Sequence, residues 1–272
     1  MSENFSLRRF VIPRAAIGDL STPDVYSLHL LGHIFNETMA LTRLIHAAQV
    51  KREDATDTEK AASVFHATFF ARLLAGKIYE AQQRLNSVEL KLFLSEHCFP
   101  HIPAGAGQSL LKSFNSGASN CKWLNSARNG HAMHYPSLEQ WEPALNVLAD
   151  NNAGFEFVCG LRDGETLYHS SDAMAGLAFF FEVDRNNWLA GAEAMIDELS
   201  EIGGRLGELI QTALRTFVIR AQESSTPLSE TVTIEQLPTF DRPNFERFEI
   251  PYFFTFSESE TPERSAPPTS DV

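Results

Sequence analysis

Apolar residues recur at intervals of three and four over most of the chain, the spacing that places side chains on one face of an α-helix. In the stretch 22–49, Leu31, Phe35 and Met39 follow one another at single helical turns. A second stretch, 58–85, repeats this pattern after a charged linker. The pattern predicts two long helices in the first third of a mainly α-helical protein.

Further helices are predicted downstream, and the last of them is the longest. Shorter helices are expected over 87–99, 137–150 and 171–181, whereas the glycine-flanked stretch 105–120 predicts only a short helical turn. The longest helix is expected over 186–223, because its apolar and small residues alternate at three and four, as in a helix packed lengthwise against partners. The positions of this predicted seam are Leu189, Ala192, Ile196, Leu199, Gly203, Leu206, Ile210, Ala213 and Phe217.

Short β-prone stretches interrupt and flank the helices. Residues 155–169 form two apolar runs around Asp163-Gly164, a dipeptide that favours a hairpin turn. Residues 5–14 alternate weakly, which predicts a short strand or an extended arm. The stretches 231–237 and 245–256 are β-prone as well. The predicted fold is therefore a helical bundle with long helices, a small β-hairpin and β-prone termini.

The whole pattern is that of one mainly helical domain, expected over residues 1–256. The polar, acidic and proline-rich tail, 257–272, is expected to be disordered. No apolar run approaches the 18 residues that indicate a transmembrane helix, and the N-terminus has no signal-peptide core. The three cysteines are too scattered for a disulfide framework. We expect a cytoplasmic protein that does not enter a membrane.

The formal net charge is −13 at neutral pH. A protein that coats nucleic acid without regard to sequence is normally basic, because its cations must neutralise phosphates. The acidic balance therefore excludes that class of nucleic-acid-binding protein. Any contact with nucleic acid is expected to be local, through a small cluster of basic residues.

One stretch, 123–136, concentrates groups able to bind a phosphate and transfer a proton. The planar fork of Arg128 suits phosphate oxygens, and His134 carries an imidazole that exchanges protons near neutral pH. On an unbroken helix these two side chains stand about 120° apart, so they would not meet at one atom. Gly130 is expected to break or loosen the helix between them, and Asn129 to hold the histidine ring or orient the backbone.

A purely structural interpretation of the same stretch stays open. Asn129-Gly130 is a common helix C-terminus, where Arg128 would only complement the helix dipole. His131 lies between the two candidate residues and could act as a second proton carrier. We predict instead that it is an exposed histidine at a helix end.

No other group of residues predicts a site. The side chains of types that bind zinc are His97, Cys98, His101, Cys121, His131 and His134, but their spacing matches no compact zinc module. Neither a metal nor a cofactor is expected. The carboxylates, Glu80 and Glu182 among them, are dispersed along the predicted helices and are expected to lie on solvated faces.

The run Arg128, Asn129, four residues, His134, followed by Tyr135, resembles the motif of the HEPN superfamily (higher eukaryote and prokaryote nucleotide-binding domains). The resemblance covers residues 20–150, including the two long helices before the motif. It implies a helical bundle that dimerises and brings two motifs together. It also implies a metal-independent endoribonuclease, in which the arginine and histidine promote attack of a ribose 2′-OH on the adjacent phosphate.

Two functional hypotheses follow from the resemblance, because some members of that superfamily have lost activity. The first is an endoribonuclease with a toxin or phage-defence role, with Arg128 and His134 as catalytic residues, Asn129 as orienting residue, and His131 and Tyr135 as accessory candidates. The second is a non-catalytic interaction or scaffold module, in which the motif caps a helix or lines a dimer interface. The expected partners are RNA, a second copy of the chain and another protein.

Overall fold

A computed structural model describes residues 5–12, 17, 20–160, 165–224, 232–237 and 247–253. The helices are α1 (Thr22–Ala48), α2 (Asp57–Leu85), α3 (Val88–Phe93), α4 (Ala106–Asn120), α5 (Trp123–Ala127), α6 (Leu138–Asp150), α7 (His169–Val183) and α8 (Trp188–Ser224). The strands are β1 (Phe5–Phe10) and β2 (Val232–Leu237). The mainly helical class predicted from the sequence is confirmed. Among the described residues, no helix combines the length and apolar character needed to cross a bilayer.

Helix α2 runs through the middle of the bundle. It packs against α1 along its length and also contacts α5, α7 and α8. Its buried side chains are mostly small: Ala62, Ala71, Ala75, Gly76 and Ala81, beside the larger Leu74, Ile78 and Leu85. Small residues let neighbouring helices approach closely on several sides, so α2 can be shared by many partners.

The long helix α8 closes the bundle, but its buried face differs in part from the predicted seam. The seam positions from Leu199 to Phe217 are mostly buried, as the alternation predicted. Near the start of the helix the prediction is wrong, because Leu189 and Ile196 are 54% and 61% exposed. Met195 is buried there instead. The buried face of α8 shifts here because the first part of the helix packs against the end of α7. A Cβ on Gly191 would overlap the Phe180 carbonyl.

The segment between α2 and the motif also differs from the sequence prediction. Residues 87–99 form α3, then a π-helical turn (Leu94–Cys98) and a 3-10 turn (Phe99–His101). Residues 105–120 form the complete helix α4 rather than a short turn. It starts at Gly105, whose φ of 80° suits glycine, and it buries Phe114 completely.

The β-prone segments join distant parts of the chain. Strands β1 and β2 pair antiparallel, with Phe5 opposite Leu237 and Phe10 opposite Val232. Of the predicted hairpin, the described residues show one antiparallel bridge, between Val158 and Leu167. Its predicted turn at Asp163-Gly164 lies outside the described residues, as does the tail 257–272.

The described part of the last β-prone stretch, 247–253, contains no strand and packs on the turn between α1 and α2. The Glu249 carboxylate accepts a hydrogen bond from the Lys51 amide at 2.9 Å and pairs with Arg52 at 2.5 Å. The Tyr252 hydroxyl donates to the Thr166 carbonyl at 3.0 Å. These contacts fasten the end of the described chain to the α1–α2 turn and to the predicted hairpin segment.

The packing at Gly76 predicts the effect of adding one methyl group. A Cβ there would lie 2.9 Å from the Ala132 Cβ, whereas a Cβ on Gly203 would meet nothing within 4 Å. Gly76→Ala should therefore lower the free energy of unfolding by about 1–3 kcal/mol through overpacking. Gly203→Ala, the matched control in a helix interior, should raise it by about 0.5–1 kcal/mol. Urea unfolding measures both changes, and an equal gain for the two variants would contradict the close approach.

Candidate functional site

The motif lies on two consecutive helical turns of different kinds. Helix α5 ends at Ala127, and Arg128–Ala132 continues without interruption as a π-helical turn. The sequence predicted that Gly130 breaks or loosens the helix. The chain does not break there, but the helix widens into the π-helical turn around Gly130 and ends at Met133. Gly130 is buried, and a methyl group there would overlap the side-chain amide of Gln140 unless that amide moved.

The π-helical turn is held against α2 by close backbone packing. At Gly76, an added Cβ would lie 2.9 Å from the Ala132 Cβ and 3.9 Å from the Arg128 Cα. Since only a residue without a side chain permits this approach, Gly76 fixes the distance between α2 and the turn. The turn in this way presents Arg128 beside the polar side chains of the next turn of α2.

Arg128 is paired on that side with a carboxylate of α2. Its Nε donates to Glu80 Oε1 at 2.8 Å, and a terminal nitrogen donates to Asn129 Oδ1 at 2.7 Å. The Asn129 amide in turn donates to Asn125 Oδ1 at 2.9 Å. The described contacts of Asn129 therefore orient the arginine rather than a histidine. The Arg128 side chain stays 38% exposed, so part of its guanidinium is open to solvent.

His134 and Tyr135 lie beyond the π-helical turn, on the surface. His134 is exposed, and it has no hydrogen bond or ion pair with any residue that the structure describes. Tyr135 is 99% exposed. The imidazole of His134 is thus accessible to a ligand or to a second molecule, and no contact within the chain ties it to Arg128.

His131 is buried, and the prediction that it is exposed is therefore wrong. Its side chain has no exposed surface, and its ring lies 5.5 Å from that of Phe179 on α7. The π-helical turn rotates this side chain toward α7, away from Arg128. A buried ring cannot reach a bound substrate, so the geometry removes His131 as a second proton carrier.

One carboxylate on α7 holds both ends of this segment. Glu182 Oε2 accepts a hydrogen bond from the Ser126 hydroxyl at 2.7 Å, and Oε1 lies 3.7 Å from His131 Nε2. The second distance is too long for a hydrogen bond, and both ring nitrogens of His131 are buried with no hydrogen-bond partner among the described residues. Glu182 therefore contacts residues on either side of Arg128 from α7.

The charge state of Glu182 reflects these partners. The neighbouring His131 imidazole, and then the Ser126 hydroxyl, lower the pKa of this carboxyl, against the opposing effect of burial. A lowered pKa means that the folded protein favours the ionised form. The ionised carboxylate is the form that accepts the Ser126 hydrogen bond and attracts a protonated imidazole.

A cleft between α1 and α2 adjoins the Arg128–Glu80 pair. It has a volume of about 230 Å³, and Glu80 lies on its wall. Across it, Lys77 Nζ is 2.9 Å and 3.0 Å from the two carboxylate oxygens of Glu37. Its other polar wall residues are His33, Thr38 and Arg84. The cleft therefore holds two cationic side chains, Lys77 and Arg84, together with two carboxylates, Glu37 and Glu80.

The residues of zinc-binding types do not come together. In the described ranges, no group of three or more His, Cys, Asp or Glu side chains has the arrangement of a metal site. Cys98 and Cys121 are buried, and burial raises the pKa of the Cys121 thiol to about 12. His97 instead lies 3.5 Å from the Asp24 carboxylate.

Comparison of the chain with protein-family models, with curated proteins and with solved structures produced no match.

Two carboxylates of the site were missed by sequence reasoning. Glu80 and Glu182 were expected on solvated faces, but each contacts the motif from a different helix. Glu80 stands 48 positions before Arg128, and Glu182 stands 56 positions after Ser126. No local spacing signals such pairs, because only the packing of α2 and α7 around the π-helical turn creates them.

The bridging role of Glu182 predicts a pH-dependent contribution to stability. Because the folded state lowers the pKa of this carboxyl, its contribution is present above the unfolded pKa, near 4.5, and is lost as the pH falls through the folded value. Glu182→Gln should lower the free energy of unfolding by about 1–2 kcal/mol at neutral pH. The difference from the wild type should shrink below about pH 4. Chemical unfolding across this pH range measures the effect.

Glu142→Gln is the matched control for this experiment, because Glu142 is exposed on α6. It should leave both the stability and its pH dependence unchanged. A loss at Glu182 that stays constant down to pH 3, well below the usual range of glutamate, would contradict the ionised bridge.

Proposed function

We propose that this chain is a metal-independent endoribonuclease of the HEPN type, in which Arg128 and His134 act on one phosphodiester. The observation that carries the proposal is the presentation of Arg128. Its guanidinium is oriented by Glu80 and Asn129 and yet is 38% exposed, on a segment that also exposes His134. Such an oriented and accessible arginine suits the binding of a phosphate.

The chemistry that we assign to the two residues is transesterification within the RNA strand. His134 takes the proton of a ribose 2′-OH, and the 2′-oxygen forms a bond to the adjacent phosphorus. The bond from phosphorus to the 5′-oxygen breaks, and that oxygen leaves with a proton from an imidazolium. The products are a 2′,3′-cyclic phosphate and a 5′-hydroxyl end. Arg128 stabilises the negative charge that develops on the phosphoryl oxygens.

A homodimer would complete such a site. Within one chain, no contact joins His134 to Arg128 in the part of the molecule that the structure describes. Two motifs that face each other across a twofold axis would supply one histidine as base and another as acid. The exposed Met133, Tyr135 and Leu138 beside the motif favour an interface at this surface.

The acidic charge of the chain is compatible with this proposal only if RNA binding is local. The candidate cations for such local binding are Arg128 and two wall residues of the α1–α2 cleft, Lys77 and Arg84, of which Arg128 pairs with Glu80 and Lys77 with Glu37. A short stretch of RNA that contacts only these residues would neutralise few phosphates, so it would bind weakly and its affinity would depend only modestly on salt.

A second candidate function is a non-catalytic interaction or scaffold module, and the Arg128–Glu80 ion pair favours it. This pair links the motif to α2, and Glu182 links the same segment to α7. In this interpretation the motif stabilises the bundle, while the surface around His134 binds a partner or a second copy of the chain without catalysis.

The nuclease proposal predicts cleavage of single-stranded RNA that persists in EDTA and leaves 2′,3′-cyclic phosphate ends. His134→Ala should reduce the rate about 10²–10⁴-fold, because a positioned acid or base contributes that much. His29→Ala, which removes another exposed histidine, is the matched control and should leave the rate unchanged. Denaturing gels of end-labelled RNA measure cleavage. Intact RNA with the wild-type protein over several sequences and structures would refute the proposal.

The two candidate functions differ in what they expect of Arg128→Lys. Lysine keeps the charge but loses the planar fork that binds two phosphate oxygens at once. If the chain is a nuclease, Arg128→Lys should lower the cleavage rate at least about tenfold. The free energy of unfolding should fall by less than about 1 kcal/mol, because both side chains of the Arg128–Glu80 pair are more than one-third exposed. A scaffold should show no RNA cleavage in either form. Rate assays and urea unfolding of the same preparations distinguish the two outcomes.

A further inference from the structure

Three aromatic side chains form an exposed cluster on the side of the molecule that carries the predicted hairpin. Phe155, Phe157 and Tyr168 are 69%, 51% and 54% exposed. Phe157 and Tyr168 stack with ring centroids 5.8 Å apart, and Phe155 contacts both rings at 6.2 Å and 6.3 Å. Contiguous exposed aromatic surface of this kind is uncommon on a monomer and marks interaction sites. We call these three side chains the aromatic cluster.

The aromatic cluster continues into an apolar groove between α6 and α7. The groove has a volume of about 320 Å³, and Phe155 forms part of its wall. The other large apolar side chains along it are Leu145, Leu148 and Met174. Aromatic residues and methionine are the types enriched where proteins bind other proteins.

The backbone beneath the aromatic cluster is fastened in place. The Ser170 hydroxyl accepts a hydrogen bond from the Glu156 amide at 2.6 Å, and the Ser170 amide donates to the Glu156 carbonyl at 3.1 Å. Val158 and Leu167 exchange both hydrogen bonds of a β-bridge at 2.9 Å and 2.8 Å. A surface held in this way loses little conformational entropy when it binds a partner.

The charge of this region decides what kind of partner fits. The stretch 138–184, which supplies both helices of the groove and the aromatic cluster, contains nine Asp and Glu residues, one arginine and no lysine. Among the described residues, no charged side chain lines the groove itself, but four of these acids, Glu139, Glu142, Asp150 and Glu156, are exposed on the segments that form it. We call these four acids the acidic rim. Exposed acids near an apolar floor repel RNA, although bare aromatic rings alone would suit base stacking. They attract a cationic partner, which can place its arginines over the aromatic faces.

We propose that the aromatic cluster and the α6–α7 groove form a docking surface for a basic, amphipathic segment of another protein. The apolar residues of that segment occupy the groove, and its lysines or arginines face the acidic rim and the exposed rings. This surface is separate from the motif residues Arg128 and His134. The inference therefore stands or falls independently of the proposed nuclease activity.

The probe that tests the inference is a fluorescein-labelled helical peptide in which leucines spaced at helical turns alternate with lysines and arginines. Fluorescence anisotropy with the full chain should give saturable binding that weakens as salt is raised. Phe157→Ser combined with Tyr168→Ser should weaken the affinity at least about tenfold, because aromatic anchors dominate such interfaces. Ile196→Ser, which removes an apolar residue that is 61% exposed on α8, is the matched control and should bind like the wild type.

Charge supplies the second arm of the test. Glu139→Lys combined with Glu142→Lys should weaken binding of the basic peptide and reduce its salt dependence. A peptide with the same leucines and glutamates at the basic positions should not bind. Circular dichroism of each variant verifies that the helices are retained.

Any one of three peptide-binding results would overturn the inference. The first is the absence of saturable binding up to about 1 mM peptide, which is the weak end of specific recognition. The second is equal weakening by Ile196→Ser and by the aromatic variant, and the third is equal binding of the acidic peptide. Competition by single-stranded RNA that depends on Phe157 and Tyr168 would also overturn it, since the surface would then bind nucleic acid.

Discussion

The small residues of α2 are the constraint on which the rest of the structure depends. Ala71, Ala75 and Gly76 leave room on α2 for neighbours on several sides, so that α1, α5, α7 and α8 all contact it. The closest of these approaches is at Gly76, where the π-helical turn Arg128–Ala132 lies against the backbone of α2. Larger side chains along α2 would separate its neighbours and would move the motif away from Glu80.

The motif is contacted by carboxylates from two different helices. Glu80 on α2 pairs with the Arg128 guanidinium, and Glu182 on α7 binds Ser126 and faces the buried His131. Glu182 is the more buried of the two carboxylates, so leaving it without a partner would cost more than at Glu80, whose pair with Arg128 is more than one-third exposed. The same contacts give Arg128 both a structural role and an accessible position. For this reason the nuclease and the scaffold hypotheses share one set of residues.

Charge is distributed unevenly over the molecule. In the α1–α2 cleft, which adjoins the Arg128–Glu80 pair, Lys77 and Arg84 lie with Glu37 and Glu80, so cations and acids are balanced there. The stretch 138–184, with nine acids and one arginine, is strongly acidic and carries the exposed aromatic cluster. This stretch contributes a large part of the net charge of −13.

The sequence by itself determined the helical class and the two long N-terminal helices, because these depend on local periodicity. It could not reveal that Gly130 stays within a helical turn or that His131 is buried, since the π-helical turn and its contact with α7 decide both. Nor could it pair Glu80 and Glu182 with the motif, or shift the buried face of α8 from Ile196 to Met195. Those outcomes depend on contacts between residues far apart in the chain, and only the tertiary packing of α2, α7 and α8 brings them together.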